Sequence, residues 1–188
     1  MLNNYPRGSG GRALKRIKRG LKLLGASPVV IDPSRALEGG FDAYVLTGTI
    51  PPKGRPTPRL REELALIKDG EAPVLGICFG LHLIAQAYGA PLVRMPARRV
   101  GFKELRVLQP SPLLEGLEGI LVWENHRVRV SERLNGSRLR LLASSPDNPV
   151  EVVQVEGRRV FGVQFHPERF DEARRGGLEV LRNFLSLA

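Results

Sequence analysis

Apolar positions along the chain fall into two alternating kinds of run. Leu14, Ile17, Leu21 and Leu24 recur at helical spacing among Arg12, Lys15, Arg16, Lys18, Arg19 and Lys22, which predicts an amphipathic helix over 11–24 that stops at Gly25. Short β-rich runs at 28–31 and 43–47 predict strands. The segment 48–58 is dense in Gly, Pro and Thr and reads as a loop of the kind that carries function. A helix at 59–68, a strand at 72–77 and a helix at 79–88 with Gly89 as its stop come next. From Pro91 onward the runs shorten, to 101–108, 120–123, 139–143, 151–155 and 160–165, before a last helix at 171–187 with Leu178, Leu181 and Phe184 facing inward. Alternating β-runs and helices argue for βα units and a mostly parallel central sheet, with additional antiparallel strands in the second half. The expected fold class is therefore α/β: a three-layer αβα arrangement over residues 1–188 as one domain. Such a domain normally opens on an apolar strand, yet only a few residues precede the glycine-rich stretch 7–11. Either the first strand is very short or the chain begins late.

Composition narrows the partners. No apolar run approaches the roughly 18 to 20 residues of a membrane span, and residues 1–6 lack the apolar core of a signal peptide. One cysteine among 188 residues excludes an internal disulfide and fits a reducing compartment, so a cytoplasmic location is expected. The net charge of +10 could serve nucleic acid, an anionic substrate or an acidic protein. Much of it sits on the polar side of the 11–24 helix, where a solvated face is the plainer reading. No zinc spacing of Cys and His, interleaved aromatic pattern or nucleic-acid motif accompanies it, so neither a metal site nor a nucleic-acid partner is expected.

The strongest chemical signal is Gly76-Ile77-Cys78-Phe79-Gly80, set between an apolar strand and a helix. A nucleophile on a tight strand-to-helix turn needs small residues two positions to either side, and Gly76 and Gly80 stand there. The turn lifts the sulfur to the positive end of the following helix, a field that favours thiolate over thiol. It also aims the backbone N–H of Phe79 at the place where an oxyanion would form. A buried structural cysteine between glycines is the competing reading.

A second signal lies in Phe161-Gly162-Val163-Gln164-Phe165-His166-Pro167-Glu168. In an extended backbone residues i and i+2 share a side, so Glu168 can orient the imidazole of His166 while its other nitrogen faces elsewhere. Pro167 stiffens the intervening turn. A base oriented by a carboxylate is what nucleophilic catalysis by a thiol requires.

The two motifs and their order resemble the class I glutamine amidotransferases, the Cys-His-Glu glutaminases, over nearly the whole chain. Within that family the chain resembles the separately encoded glutaminase subunit of GMP synthase. The resemblance implies a flavodoxin-like fold, with Cys78 as nucleophile, His166 as general base and acid, and Glu168 as its orienting partner. It implies glutamine as substrate, an acyl-enzyme, and ammonia delivered to an ATP-dependent synthetase that makes GMP from XMP. No cofactor is implied in this subunit; ATP and Mg belong to the synthetase.

The match is uneven elsewhere. In Leu46-Thr47-Gly48-Thr49-Ile50-Pro51-Pro52, which resembles the family's oxyanion loop, Thr49 stands where a second glycine is usual. Gly48 is expected to touch substrate there and the Thr49 N–H to donate. Four residues after the nucleophile the family carries a substrate-binding glutamine, and here His82 takes that place; one ring nitrogen of an imidazole can donate or accept one hydrogen bond, whereas an amide does both at once. In Val122-Trp123-Glu124-Asn125-His126-Arg127-Val128 the position of His126 resembles the histidine of a Ser-His-x-Asp run, but Val128 replaces the acid. His126 is a candidate substrate contact, with a structural contact the plainer reading. These departures leave two alternatives open: a free-standing Cys-His-Glu hydrolase of γ-glutamyl or peptide bonds, and a retired regulatory subunit on the same fold.

Overall fold

The computed structural model describes residues 1–6, 9–49 and 60–188. Helix α1 (Gly11–Leu23) buries Ile17, Gly20 and Leu21 and leaves most of its basic side chains outside, as its spacing predicts. It ends at Gly25, whose φ of 86° and N–H to the Lys22 carbonyl close the last turn. A 3-10 turn (Pro33–Glu38), begun by the Asp32 side chain on the Ser34 N–H, leads into β1 (Tyr44–Leu46). Helix α2 (Arg61–Asp69), β2 (Val74–Ile77) and α3 (Phe79–Ala87) complete the first half. The second half runs β3 (Leu92–Glu104), β4 (Arg106–Val107), β5 (Leu121–Val130), β6 (Leu139–Ser145), β7 (Asn148–Val155), β8 (Val160–Val163) and α4 (Gly176–Leu185).

Six strands form the central sheet in the order β1-β2-β8-β7-β6-β4. β1, β2 and β8 are parallel, whereas β7, β6 and β4 continue it antiparallel. Period-two alternation divides the apolar residues between its faces. Val45, Leu75, Ile77, Phe161 and Val163 join Ile17 and Leu21 of α1 and Val180, Leu181 and Phe184 of α4 in one core. Tyr44, Leu46, Val74 and Val160 join Leu66 and Ile67 of α2 and Leu81 and Ile84 of α3 in the other. The expected three layers follow from that division.

The missing first strand is a very short one. Leu2 bridges Leu46 on one side and Ile31 on the other, both in parallel. Its N–H bonds the Val45 carbonyl at 2.8 Å, and its own carbonyl accepts from Thr47 N–H at 3.1 Å. The strand expected at 28–31 shrinks to the bridge at Ile31; Val29 and Val30 stay 52% and 37% exposed.

Two expectations need correction. The last helix begins at Gly176, not 171, because the Asp171 carboxylate accepts from the N–H groups of Ala173 and Arg174 and holds 171–174 in a turn. β3 and β5 form a separate two-stranded antiparallel sheet that the sequence pattern does not reveal over 92–100 and 124–130. Arg94, Arg98 and Arg127 are exposed along it, and Pro96 interrupts the run, so no apolar alternation survives. The loop expected at 48–58 and the start of the helix expected at 59 lie outside the described residues beyond Thr49.

Candidate active site

The turn from β2 into α3 places Cys78 at φ 52°, ψ −93°, the only positive φ of a non-glycine residue among those described. Such strain persists where its surroundings over-determine it. Cys78 N–H bonds the Val163 carbonyl of the neighbouring β8 at 2.7 Å, and its carbonyl accepts from His82 N–H. A Cβ on Gly76 would come 2.5 Å from the Gly80 carbonyl carbon, and one on Gly80 2.6 Å from the Leu46 oxygen. The glycines are there because backbone fills the space a side chain would need. Phe79 opens α3, so its N–H has no acceptor within the helix.

Register brings His166 to Cys78. Ile77 pairs with Val163, so the residues following β2 and β8 leave the sheet side by side at the carboxyl ends of parallel strands. His166 is pinned through its N–H to the Trp123 carbonyl of β5 at 2.7 Å. Its Nδ1 lies 2.9 Å from Glu168 Oε1, and the thiol of Cys78 is within hydrogen-bonding reach of the ring. β8 ends at Val163, so the His-Glu pair sits on a turn closed by Arg169 N–H to the His166 carbonyl rather than on the expected extended strand. Pro167, with its fixed φ, suits that turn. Burial alone would lower the imidazole's affinity for a proton; the Glu168 charge and the hydrogen bonds to Cys78 and Glu168 outweigh it and hold His166 well above its ordinary range.

The loop after β1 closes on the same point. Space for a Cβ on Gly48 lies 3.4 Å from His166 Cε1 and 3.8 Å from Cys78 Cβ. The N-terminal segment ties this loop down: Asn4 N–H bonds Thr47 Oγ1, and Thr49 Oγ1 donates to the Asn4 carbonyl at 2.6 Å. Tyr5, which nothing in the linear pattern singles out, brings its hydroxyl 3.4 Å from the same Gly48 position. Its phenol is pushed far above its ordinary range by burial and by the charges of Glu168 and Cys78.

Similarity to known proteins agrees with this geometry. The family model for glutamine amidotransferase class I matches residues 10–187. The chain belongs to the class I glutamine amidotransferases. A glutamine-hydrolysing GMP synthase subunit of Saccharolobus solfataricus is 32% identical over 181 residues, 95% of this chain and 94% of that one. Its counterpart in Thermoplasma volcanium is also 32% identical, over all of this amidotransferase and 92% of the relative. A solved Thermoplasma acidophilum structure, provisionally assigned as a GMP synthase subunit, superposes with a TM-score of 0.79 at 29% identity, over 97% of this chain and 92% of that chain. A Thermotoga maritima glutamine amidotransferase, at 19% identity and a TM-score of 0.71 over 90% of each chain, shares the fold.

The amidotransferase's other two histidines are both buried. His82, on α3, points Nε2 at Gln164 Oε1, 3.2 Å away, while Gln164 Nε2 donates to Cys78 Sγ at 3.6 Å. Burial lowers the His82 pKa to about 4 despite the hydrogen bond to Gln164, so the ring is neutral at ordinary pH. His126, on β5, faces the Val128 carbonyl through Nδ1 at 3.1 Å and Glu124 through Nε2 at 3.3 Å. Glu124 in turn meets Ser145, which also reaches Glu151, and Asn148 donates to Glu151 at 2.9 Å. Glu124 and Glu151 are fully buried and hydrogen-bonded to each other. Burial first, and then the Glu124 hydrogen bond and charge, raise Glu151 well above the carboxylate range. Among the described residues, Glu124, His126 and Glu151 are the one set with ligand atoms spaced for a metal ion, within 4.8 Å of one another. Glu124 and Glu151 could not be foreseen, since strand neighbours of Val and Leu give no hint that two acids meet across sheets.

Proposed function

We propose that this amidotransferase hydrolyses glutamine to glutamate and passes the ammonia to a separate ATP-dependent synthetase, for GMP synthesis from XMP. The observation that carries the reading is Cys78 held at positive φ on a helix N-terminus, beside an imidazole oriented by a buried carboxylate. The relatives that are themselves subunits of glutamine-hydrolysing GMP synthases support the choice of acceptor.

In this mechanism His166 takes the thiol proton and the sulfur of Cys78 attacks the side-chain amide carbon of glutamine. The C–O double bond opens to an oxyanion, received by the Phe79 N–H and by the backbone of Gly48 and Thr49. Collapse breaks the C–N bond as His166 returns its proton to the nitrogen, and ammonia leaves. A water then gives a proton to His166 and its oxygen to the thioester carbon; cleavage of the C–S bond frees glutamate and restores the thiol. Glu168 keeps Nδ1 protonated so that Nε2 is the nitrogen that exchanges protons. His82 acts on this chemistry through Gln164 rather than by touching substrate, and His126 through the buried carboxylate pair. ATP and Mg act on the partner, and no cofactor enters these steps. A cytoplasmic location goes with this role; no helix among the described residues is long and apolar enough to cross a membrane.

Glutamate release from glutamine, measured with the purified chain alone and with the synthetase component of a GMP synthase, XMP and ATP, tests the reading. Release that rises with the partner and vanishes in Cys78→Ala is expected. Absence of glutamate in both mixtures would end it. Preference for γ-glutamyl peptides without any partner would instead favour the free-standing hydrolase.

A further inference from the structure

Cations crowd one corner of the molecule. Arg16 and Arg19 lie three residues apart on α1 and, with Arg169, line a pocket of about 260 Å³ that has Trp123, Phe170 and Glu168 among its other walls. The Arg169 guanidinium lies over the Trp123 ring, 5.0 Å from its centroid, and Phe102 meets Trp123 edge-on at 5.0 Å. Of the two acids at the pocket, Asp171 pairs with Arg174 at 2.6 Å, and Glu168 holds His166 through Oε1 at 2.9 Å while its Oε2 has no hydrogen-bond partner. None of the ion pairs among the described residues includes Arg16, Arg19 or Arg169. Burial and the charges of Arg16 and Arg12 press Arg169 below its ordinary range against the opposing charge of Glu168.

We propose that this pocket binds a small phosphorylated anion, with its phosphate among Arg16, Arg19 and Arg169 and its apolar or planar part against Trp123 and Phe170. Three guanidinium forks converging from two elements match a tetrahedral group with several terminal oxygens better than a flat carboxylate with two. The aromatic walls exclude water on one side, which strengthens the attraction and offers a face for stacking. A wider depression over Lys15, Lys18, Arg19 and Lys22 lacks these features, since every wall comes from α1 alone. Glu168 forms part of the pocket, so an occupant would rest against the residue that orients His166. The test reads binding alone and does not depend on glutamine hydrolysis.

Trp123 is the chain's only tryptophan, so its fluorescence reports on the pocket directly. The full chain is titrated with pyrophosphate at constant ionic strength, with calorimetry in parallel. A saturable change in emission with a matching heat is expected. Arg16→Gln and Arg169→Gln should each weaken binding by about tenfold or more, the loss expected for a charge-assisted hydrogen bond. Lys15→Gln, an equal charge change on the same exposed helix, should leave affinity within about twofold. Equal weakening by Lys15→Gln and Arg16→Gln would reduce the effect to bulk charge and overturn the proposal. So would citrate binding as tightly as pyrophosphate, or the absence of saturable heat. If Arg169→Gln fails to fold, the comparison of Arg16→Gln with Lys15→Gln decides alone.

Discussion

Gln164 Nε2 donates to Cys78 Sγ across 3.6 Å while the other end of the same amide, Oε1, faces His82 Nε2 at 3.2 Å. An amide has a donor end and an acceptor end, so whatever holds one decides what the other offers. His82 is buried, with its pKa lowered to about 4, and in the tautomer with its proton on Nε2 it donates to Oε1. The N–H end of Gln164 is thereby turned to the sulfur.

In the proposed mechanism that arrangement gives His82 a positioning role. His82→Leu should lower kcat for glutamine hydrolysis by about tenfold with KM little changed, the size of one hydrogen bond to a developing charge. His82→Gln, whose amide can also donate to Oε1, should recover most of the loss. Steady-state kinetics on glutamine decide it: a rise in KM at unchanged kcat would mean that His82 touches substrate instead.

Glu168→Gln and His166→Ala separate orienting from proton transfer. The amide keeps a polar contact to Nδ1 but no longer fixes the tautomer, and losses of about 10²- to 10⁴-fold in kcat are expected. His166→Ala removes the proton carrier and should cost more. Equal losses, measured as glutamate release under saturating glutamine, would contradict the division of roles.

Gly76→Ala and Gly80→Ala test the elbow as a packing device. Each added Cβ meets backbone within 2.6 Å, so destabilisation of about 3 kcal/mol or more is expected, a fall in Tm of roughly 10 °C. Gly89→Ala is the control: its φ is 76° but nothing lies within 4 Å, and only the backbone strain, about 1 kcal/mol, remains. Thermal melts of the three variants would show whether collision or strain governs.

Glu63 gives the fold a pH dependence. It is fully buried on α2, bonded by the Asn4 side chain at 3.1 Å, and burial raises its pKa to about 8 against that one favourable contact. The unfolded chain releases this proton near about 4.3, so between that pH and about 8 the folded state binds more protons and stability falls as pH rises. Glu63→Gln should be nearly neutral at pH 4 and more stable than the wild type by on the order of 3 kcal/mol at pH 8. Denaturant melts across that range should show the two curves diverging upward in pH; parallel curves would mean the carboxyl ionises freely.

The elbow and the His-Pro-Glu segment were legible from sequence because each is local: a nucleophile flanked by glycines, and a base two residues from its carboxylate. The strands β1, β2 and β8 were legible for the same reason, as short apolar runs written in consecutive residues. What escaped was whatever joins distant segments. Leu2 fills the place of a whole strand because one residue suffices to bridge Ile31 and Leu46, and a single residue has no period. Glu124 meets Glu151, and Tyr5 reaches the Gly48 loop, only when sheets and termini are brought together. His82 stood in the sequence as a substrate candidate, but its partner is Gln164, 82 residues away, a pairing settled by how α3 packs beside β8. Backbone chemistry is encoded in neighbours along the chain; the company a buried polar group keeps is decided by packing, which is a property of the folded whole.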